Sequence, residues 1–313
     1  MSLKYAITCP GQGFIKNGLL QSIIKYKPLY QSYLDDIDSI LGENFSANLF
    51  KQQSEQDVIN WLNKTSNAQP AILSSTYIIS KVIEQTSNPQ FINNSQYILG
   101  HSLGEYSALL LSGILDFKTA IQLVRLRGNL MEQLFEKDKI YGMTALLIKP
   151  NNYDQVKLYA EECNLLANIN SSFQIVLSGE LKEINKLVDN LKSKKLILKS
   201  INLPVSVPFH SHYLETIVPE LRQFLDGKIN KQNIPIIANL TGKVSTNQVT
   251  TINNTLQANY QPVQWLKSMT FLENSNIDTL YNLGPGNVLH LINKRYKLRS
   301  INIDDIESID GSK

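Results

Sequence analysis

The stretch "ILGHSLGEYSALLL" (residues 98–111) places one serine, Ser102, between an apolar strand-like segment and an apolar helical segment. Gly100 and Gly104 stand two positions before and two positions after it, which gives the pattern G-x-S-x-G. After a strand and before a helix, this pattern is typical of a turn that exposes a nucleophilic serine, because the backbones approach too closely for side chains at the glycines. Ser102 is therefore a candidate nucleophile.

A second interpretation of the same residues needs no chemistry. Ser102-x-x-Glu105 ahead of an apolar run fits a capping box, in which the serine side chain accepts a hydrogen bond from a free N–H of the first helical turn. In the catalytic interpretation, those free N–H groups point towards the site and hold an oxyanion instead. The rest of the chain has to decide between the two.

Composition places the chain among folded globular proteins. It has 313 residues, 42% of them hydrophobic and 18% charged, with a net charge of +3 and two cysteines. This charge is too weakly basic to indicate nucleic acid, and no cysteine or histidine spacing indicates a metal. No apolar run approaches the ~20 residues of a membrane span, and a strand-like run near the N-terminus leaves no room for a signal peptide.

Alternating patterns predict an α/β architecture with a largely parallel sheet. Helices are expected at 67–85, with Pro70 near its start, at 102–112, at 117–135 after an Asp116 N-cap, and at 213–226, with strands near 5–9, 96–100 and 234–242. Between these, residues 137–203 show the order βαββαβ of a ferredoxin-like insertion. We therefore expect a large catalytic domain of residues 1–136 and 204–313 and a small subdomain of residues 137–203.

A nucleophilic serine needs a base, and the chain has four histidines: His101, His210, His212 and His290. His210 and His212 share a proline-bounded loop where the large domain resumes, and spacing does not choose between them. Two further features each have a structural and a functional explanation. "PGQG" (10–13) fits a turn or a loop that offers the Gln12 N–H to an oxyanion. Arg127 fits an exposed helix face or, if buried, a carboxylate clamp.

Taken together, the motifs resemble the malonyl-CoA:acyl carrier protein transacylase family. The resemblance rests on "PGQG", "NAQPAI", "GHSLGEYSAL", "RGNLM", "VPFHSHYL", "YQPVQW" and "NLGPGNVL", which follow the family order from about residue 5 to 295. The segments "PFHS", "PIIANLTG" and "GPGNVLHLINKR" are similar to fungal mitochondrial members. The resemblance implies that the large domain is α/β-hydrolase-like.

The resemblance also implies site residues. They are the nucleophile Ser102, the base His210, the oxyanion-hole residues Gln12 and Leu103, the carboxylate-binding Arg127, and the substrate-binding Phe209, His101 and Gln69. The family orients its histidine by a backbone carbonyl, which falls at Ala258, or at Gln257 if the register shifts by one.

The function implied is ping-pong transfer of malonyl from malonyl-CoA to the phosphopantetheine thiol of acyl carrier protein, through a malonyl-serine. No bound cofactor or metal is expected, the partners are acyl carrier protein and coenzyme A, and the chain is expected to be a monomer. The fungal likeness implies a mitochondrial location, with a bacterial-type cytoplasmic location as the alternative. The rival function is a serine esterase or thioesterase of the α/β-hydrolase type, which also uses G-x-S-x-G.

Overall fold

A computed structural model of the protein describes residues 4–13, 18–51, 56–134 and 139–303. Within these ranges the strands form a six-stranded, mainly parallel sheet and a four-stranded antiparallel sheet, here called the large sheet and the small sheet. The chain is therefore a mixed α/β protein, as the sequence predicts. The boundary expected between residues 136 and 137 lies outside the described residues.

The strands and helices have the following bounds. The strands are β1 (Tyr5–Cys9), β2 (Tyr97–Gly100), β3 (Tyr141–Ile148), β4 (Leu166–Ser171), β5 (Gln174–Glu180), β6 (Ile197–Asn202), β7 (Ile236–Ile237), β8 (Val244–Ser245), β9 (Thr279–Leu283) and β10 (Arg299–Ile303). The helices are α1 (Lys27–Leu41), α2 (Gln56–Asn63), α3 (Thr65–Thr86), α4 (Gly104–Leu111), α5 (Phe117–Gln133), α6 (Tyr153–Glu162), α7 (Leu181–Ser193), α8 (Val218–Leu225), α9 (Gln248–Gln257), α10 (Trp265–Glu273) and α11 (Val288–Asn293).

The large sheet has the strand order β10-β9-β1-β2-β7-β8, and its pairs are parallel except for β7 with β8. All five residues of β1 are buried, as expected of a central parallel strand covered on both faces. Parallel strands end at the same edge of a sheet. The loops after β1 and β2 therefore meet there, and this is the edge at which α/β proteins bind ligands.

The small sheet has the strand order β4-β5-β3-β6, and its elements follow one another as βαββαβ, in the predicted order. On β3, Leu146 and Ile148 pack in a separate apolar cluster with α6 and α7, whereas Met143 and Ala145 belong to the main core. This alternation follows from the two-residue period of a strand. One face of the small sheet therefore turns towards the large sheet.

Three predicted elements differ from the observed ones. The helix expected at 67–85 begins at Thr65, so Pro70 is its sixth residue rather than near its start. The two additional residues at the start of the helix are stabilised by a residue of α5, because the Glu132 carboxylate accepts hydrogen bonds from the N–H and the hydroxyl of Ser66, both at 2.9 Å. By contrast, the predicted Asp116 N-cap is confirmed, because its carboxylate accepts from the Thr119 N–H at 2.7 Å.

The other two differences flank the site. The helix expected at 213–226 is a 3-10 turn over His212–Ile217 followed by α8, which starts beside a proline that suits a first helical turn. The strand expected at 234–242 is β7 alone. The chain leaves it because residues 238–243 form a turn, in which the Gly242 N–H bonds the Ala238 carbonyl at 2.8 Å and Gly242 has φ 68°.

No helix within the described ranges is both long enough and apolar enough to cross a membrane.

The strands β1 and β2 and the helix α4 come into backbone contact at two glycines. A Cβ added to Gly100 would lie 1.8 Å from the Gly104 backbone, and one added to Gly104 would lie 2.1 Å from the Cys9 carbonyl oxygen. Both distances are far below van der Waals contact, and the atoms that would have to move are backbone atoms. The turn between β2 and α4 therefore requires glycine at both positions.

We expect Gly104→Ala to lower the free energy of unfolding by about 3 kcal/mol or more, because its Cβ meets rigid backbone. Gly13→Ala is the matched control, since the one contact of its Cβ within 4 Å among the described residues is at 3.8 Å, and its φ is not positive. The control should change stability by less than about 0.5 kcal/mol. Urea unfolding of both variants measures the difference, and equal stabilities would show that the strand and helix can separate without cost.

Candidate active site

Ser102 stands between β2 and α4 with φ 55°, in the left-handed region that non-glycine residues seldom adopt. Its side chain does not cap α4: the N-cap residue is Leu103, and the Ser102 Oγ lies 2.7 Å from Nε2 of His210. Glu105 does not complete a capping box either, because its Oε1 accepts from the Asn239 backbone N–H at 2.9 Å. The capping-box interpretation is therefore wrong, since both side chains bond elsewhere.

His210 is the histidine that contacts the serine. Its ring is buried, its Nδ1 lies 2.7 Å from the carbonyl oxygen of Ala258, and its backbone has φ 59°. A carbonyl oxygen can only accept, so Nδ1 carries the proton and Nε2 accepts from the Ser102 hydroxyl. His212 is exposed and packs its ring on Tyr213, with 4.1 Å between centroids. Of the two histidines that spacing left open, only His210 reaches the serine.

Burial keeps His210 uncharged. The pKa of its imidazole is lowered to about 3, chiefly by desolvation and in part by the positive charge of Arg127, while the hydrogen bond to Ala258 opposes the shift. At neutral pH the ring is therefore a neutral imidazole with a free lone pair on Nε2. This is the protonation state that a general base needs.

The two backbone N–H groups expected to hold an oxyanion belong to segments that adjoin the serine. Leu103 directly follows Ser102, and Gln12 lies in the loop after β1, which packs so tightly that a Cβ on Gly11 would lie 2.5 Å from the His101 carbonyl oxygen. Within the described residues, neither the Gln12 N–H nor the Leu103 N–H donates to an acceptor. Free donors beside a serine are what a developing oxyanion requires.

Arg127 is buried inside the protein, with 2% of its surface exposed. Its Nε donates to Oδ1 of Asn259 at 2.7 Å, and its guanidinium lies over the Tyr106 ring, 4.9 Å from the centroid. It makes no ion pair with a carboxylate of the described residues. Desolvation lowers its pKa, and the nearby Tyr106 and Glu105 oppose that shift. A buried guanidinium without a counterion is costly, so the site favours an anion beside it.

The other expected substrate residues have different surroundings. His101 bonds Oδ1 of Asn170 through Nε2 at 2.8 Å and meets the Trp265 ring edge-on. Phe209 is buried beside His210. Gln69 is fully buried; its Nε2 lies 3.5 Å from the Met131 sulfur, and its Oε1 has no partner among the described residues.

A cavity of about 580 Å³ opens over Ser102 and His210. Its wall includes apolar side chains of the small sheet, among them Met143, Ala145 and Val176. His101, Phe209 and the Gln12 loop also line it, whereas Arg127, Gln69, Leu103 and Ala258 are buried and are not among its lining residues. An apolar cleft with a few convergent polar groups is the usual form of a small-molecule site.

Asn239 is a site residue that the sequence patterns did not reveal. Its Nδ2 donates to the Gly100 carbonyl at 2.5 Å, and its Oδ1 accepts from the Ser102 N–H at 2.9 Å. Its own backbone N–H bonds Glu105, so one buried amide ties together both sides of the turn. A signal was available: Asn239 is a polar residue at the end of the apolar run "IPIIAN", where a buried amide must find partners.

Glu105, the partner of Asn239, is almost completely buried. Desolvation raises the pKa of its carboxyl from 4.5 to about 8, although the hydrogen bonds from Asn239 and the charge of Arg127 lower it. The carboxyl is therefore mostly protonated at neutral pH. Arg127 thus has a neutral acid, rather than a carboxylate, as its neighbour.

Comparison with known proteins gives relatives along the whole chain. Residues 8–275 match the family model of the acyl transferase domain. The chain is 32% identical over 318 residues to the malonyl CoA-acyl carrier protein transacylase of Bacillus subtilis (strain 168), covering 98% of this chain and 95% of that protein. It is 29% identical to the protein of the same name from Escherichia coli (strain K12), covering 93% and 92%.

Solved structures agree with these sequence matches. FabD from Acinetobacter baumannii superposes with a TM-score of 0.88 at 26% identity, covering 100% of this chain and 98% of that chain. A malonyl-transacylase solved in complex with a type II polyketide synthase acyl-carrier protein gives 0.88 at 27% identity, covering 99% and 98%. The relatives with a stated source come from bacteria. They do not support the expected mitochondrial location, and they favour the bacterial-type alternative.

The buried Glu105 carboxyl makes stability depend on pH. Between pH 4.5 and 8 the folded protein holds a proton that the unfolded chain has released, so this contribution is full below pH 4.5 and is lost as the pH rises through 8. Relative to Glu105→Gln, the wild-type free energy of unfolding should fall by about 1.4 kcal/mol per pH unit between pH 5 and 8.

Urea unfolding at several pH values measures this slope. Glu220→Gln on the exposed side of α8 is the control and should keep the wild-type slope. If the stability curves of the wild type and Glu105→Gln run parallel, Glu105 does not hold the extra proton.

Proposed function

The chain belongs to the acyl transferase domain family, and from this premise we propose that Ser102 carries the acyl group between two thiols. The protein is an acyltransferase that moves malonyl from malonyl-CoA to acyl carrier protein. No separate cofactor takes part, because phosphopantetheine arrives as part of coenzyme A and of the carrier protein. The observation that supports the serine as nucleophile is the 2.7 Å contact between its Oγ and the neutral His210 Nε2.

In the first half-reaction, Nε2 of His210 takes the hydroxyl proton as the Ser102 Oγ attacks the thioester carbonyl. The tetrahedral oxyanion is stabilised by the N–H groups of Gln12 and Leu103. When the intermediate collapses, the carbon–sulfur bond breaks and the His210 Nε2–H protonates the departing thiolate. Coenzyme A leaves as a thiol, and malonyl remains as an ester on Ser102.

The second half-reaction runs the same steps with another thiol. The phosphopantetheine thiol of the carrier protein gives its proton to His210, and its sulfur attacks the malonyl ester. Collapse breaks the bond to Ser102 Oγ, which regains its proton from His210. Neither half-reaction consumes water, and water in the site would hydrolyse the malonyl ester. The apolar wall of the cavity favours transfer because it keeps water away from that ester.

The Ala258 carbonyl has the role that a carboxylate has in a Ser-His-Asp triad. It fixes the tautomer and the orientation of His210 through Nδ1, but it brings no negative charge to stabilise an imidazolium. Phe209 beside the base, with His101 and Gln69, completes the proposed surroundings of the acyl group.

Arg127 is proposed to bind the free carboxylate of the malonyl group. The guanidinium is buried and lacks an internal counterion among the described residues, so an acyl group with a carboxylate supplies the missing charge. An acetyl group leaves the cation unpaired. This difference would select malonyl over monocarboxylic acyl groups.

At the level of the fold, we propose an α/β-hydrolase-like large domain of residues 1–136 and 204–313 and a ferredoxin-like subdomain of residues 137–203. The strand order β4-β5-β3-β6 supports the second assignment. A monomer and a bacterial-type cytoplasmic location stay predictions. The esterase or thioesterase alternative is not favoured, since the relatives described above are transacylases.

The proposed nucleophile is tested by intact-protein mass spectrometry after mixing with malonyl-CoA. We expect one malonyl group on the wild-type chain, its removal on adding holo acyl carrier protein, and no adduct on Ser102→Ala. Ser107→Ala, which changes a buried serine in the helix α4 that follows Ser102, should still be acylated. An adduct that persists in Ser102→Ala would assign the nucleophile to another residue.

The proposed clamp is tested by Arg127→Met, which keeps much of the apolar stem and removes the charge. Loss of a buried charge pair costs roughly 3–5 kcal/mol, so kcat/KM for malonyl-CoA should fall by about 100-fold or more, while acetyl transfer is spared. Arg125→Met on the same helix, which removes bonds to Asn67 and Glu43, is the control. Equal losses with both donors would make Arg127 a structural residue.

A further inference from the structure

Asn259 stands at the junction of the two functional groups of the site. It directly follows Ala258, whose carbonyl orients His210, and it lies just beyond the C-terminus of α9. It is 1% exposed, and its Oδ1 accepts from Nε of Arg127 at 2.7 Å. One short segment therefore holds both the proposed base and the proposed carboxylate clamp.

The Asn259 amide is held in one orientation. Its Nδ2 donates to the Tyr106 hydroxyl at 3.0 Å, to the Leu256 carbonyl at 3.0 Å and to the Thr255 carbonyl at 3.2 Å. Two of these partners are carbonyl oxygens, which can only accept, so the NH₂ group must face them and Oδ1 must face Arg127. The amide cannot rotate without losing these bonds.

This contact determines which part of the guanidinium stays available. Arginine has five N–H donors in a rigid planar fork, and Asn259 engages the one on Nε. The Tyr106 ring covers one face of the plane at 4.9 Å. The two terminal nitrogens form the end of the fork that binds a carboxylate through two parallel hydrogen bonds.

We infer that Asn259 is a specificity-determining positioning residue, which holds Arg127 with an uncharged acceptor so that the guanidinium keeps its full charge for the acyl carboxylate. The inference rests on the proposed function, in which Arg127 binds that carboxylate. An aspartate at this position would pair with Arg127 and compete with the substrate. A leucine would leave Nε without an acceptor and the fork free to turn.

The test compares kcat/KM for enzyme acylation by malonyl-CoA and by acetyl-CoA. For Asn259→Leu, we expect the malonyl value to fall roughly 10- to 100-fold, the range for a lost hydrogen bond to a charged group, with little change for acetyl. For Asn259→Asp, the malonyl KM should rise and the preference for malonyl should fall. Asn254→Leu on α9 is the control. Its side chain has no hydrogen bond to Arg127 or His210 within the described residues, so this variant should behave as the wild type.

Each outcome decides the inference. Equal loss with both donors in Asn259→Leu, or no loss, would overturn it, and a full malonyl preference in Asn259→Asp would overturn the need for a neutral acceptor. If Asn259→Leu does not fold, Tyr106→Phe takes its place. It removes the hydroxyl that binds the amide and that also hydrogen-bonds Arg127, and it should lower the malonyl preference several-fold; an unchanged preference would count against the inference.

Arg127→Met, measured in parallel, separates the two levels of the argument. If Arg127→Met keeps the malonyl preference, the proposed carboxylate-binding role of Arg127 fails, and the role of Asn259 fails with it, while the transfer through Ser102 is unaffected. If Arg127→Met loses the preference and Asn259→Leu keeps it, only the role of Asn259 fails.

Discussion

The close backbone contact among β1, β2 and α4 is the constraint on which the site depends. Because Gly104 lies against the Cys9 carbonyl, the loops after β1 and β2 are held side by side. That arrangement holds Ser102 in the left-handed conformation and brings the Gln12 loop next to the turn that contains Ser102 and Leu103. Asn239 then fixes the turn through both the Gly100 carbonyl and the Ser102 N–H. The proposed nucleophile and its oxyanion donors are thus positioned by backbone packing, without movement during reaction.

Neutral polar groups contact Arg127, the buried guanidinium of the site. Asn259 is an amide, Tyr106 is a phenol whose pKa burial raises, and Glu105 is mostly protonated at neutral pH. Each donates or accepts a hydrogen bond without cancelling the charge of Arg127. A buried aspartate nearby would stabilise the free protein and fill the place of the substrate carboxylate. In the free protein the charge of Arg127 therefore has no counterion among its neighbours. The stabilisation that comes from pairing this charge is gained only when an anion binds.

Local patterns predicted the turn and most elements, because strand period, helix caps and paired glycines act over a few residues. The Asp116 cap and the βαββαβ order are of this kind.

The same patterns gave wrong bounds where residues distant in sequence determine the structure. Glu132 holds the start of α3 ahead of Pro70, and the turn over residues 238–243 ends β7 early, with Asn239 of that turn bonded to Glu105. Spacing alone allowed His210 and His212 equally, the family resemblance implied His210, and the folded loop shows that the His210 ring reaches Ser102. Asn239 and Asn259 were missed because an asparagine shows its role only through partners more than a hundred residues away.

The coupling between Arg127 and His210 connects binding to reactivity. The arginine charge is one of the causes, after burial, that lower the pKa of His210 and so weaken it as a base. If Arg127 binds the malonyl carboxylate as proposed, that carboxylate offsets the charge, whereas an acetyl group does not. Binding of the dicarboxylic acyl group would then raise the basicity of His210 in the same step that orients the thioester. In the proposed mechanism, discrimination between acyl groups therefore has a contribution from the base as well as from affinity, and both contributions depend on keeping Arg127 free of an internal counterion.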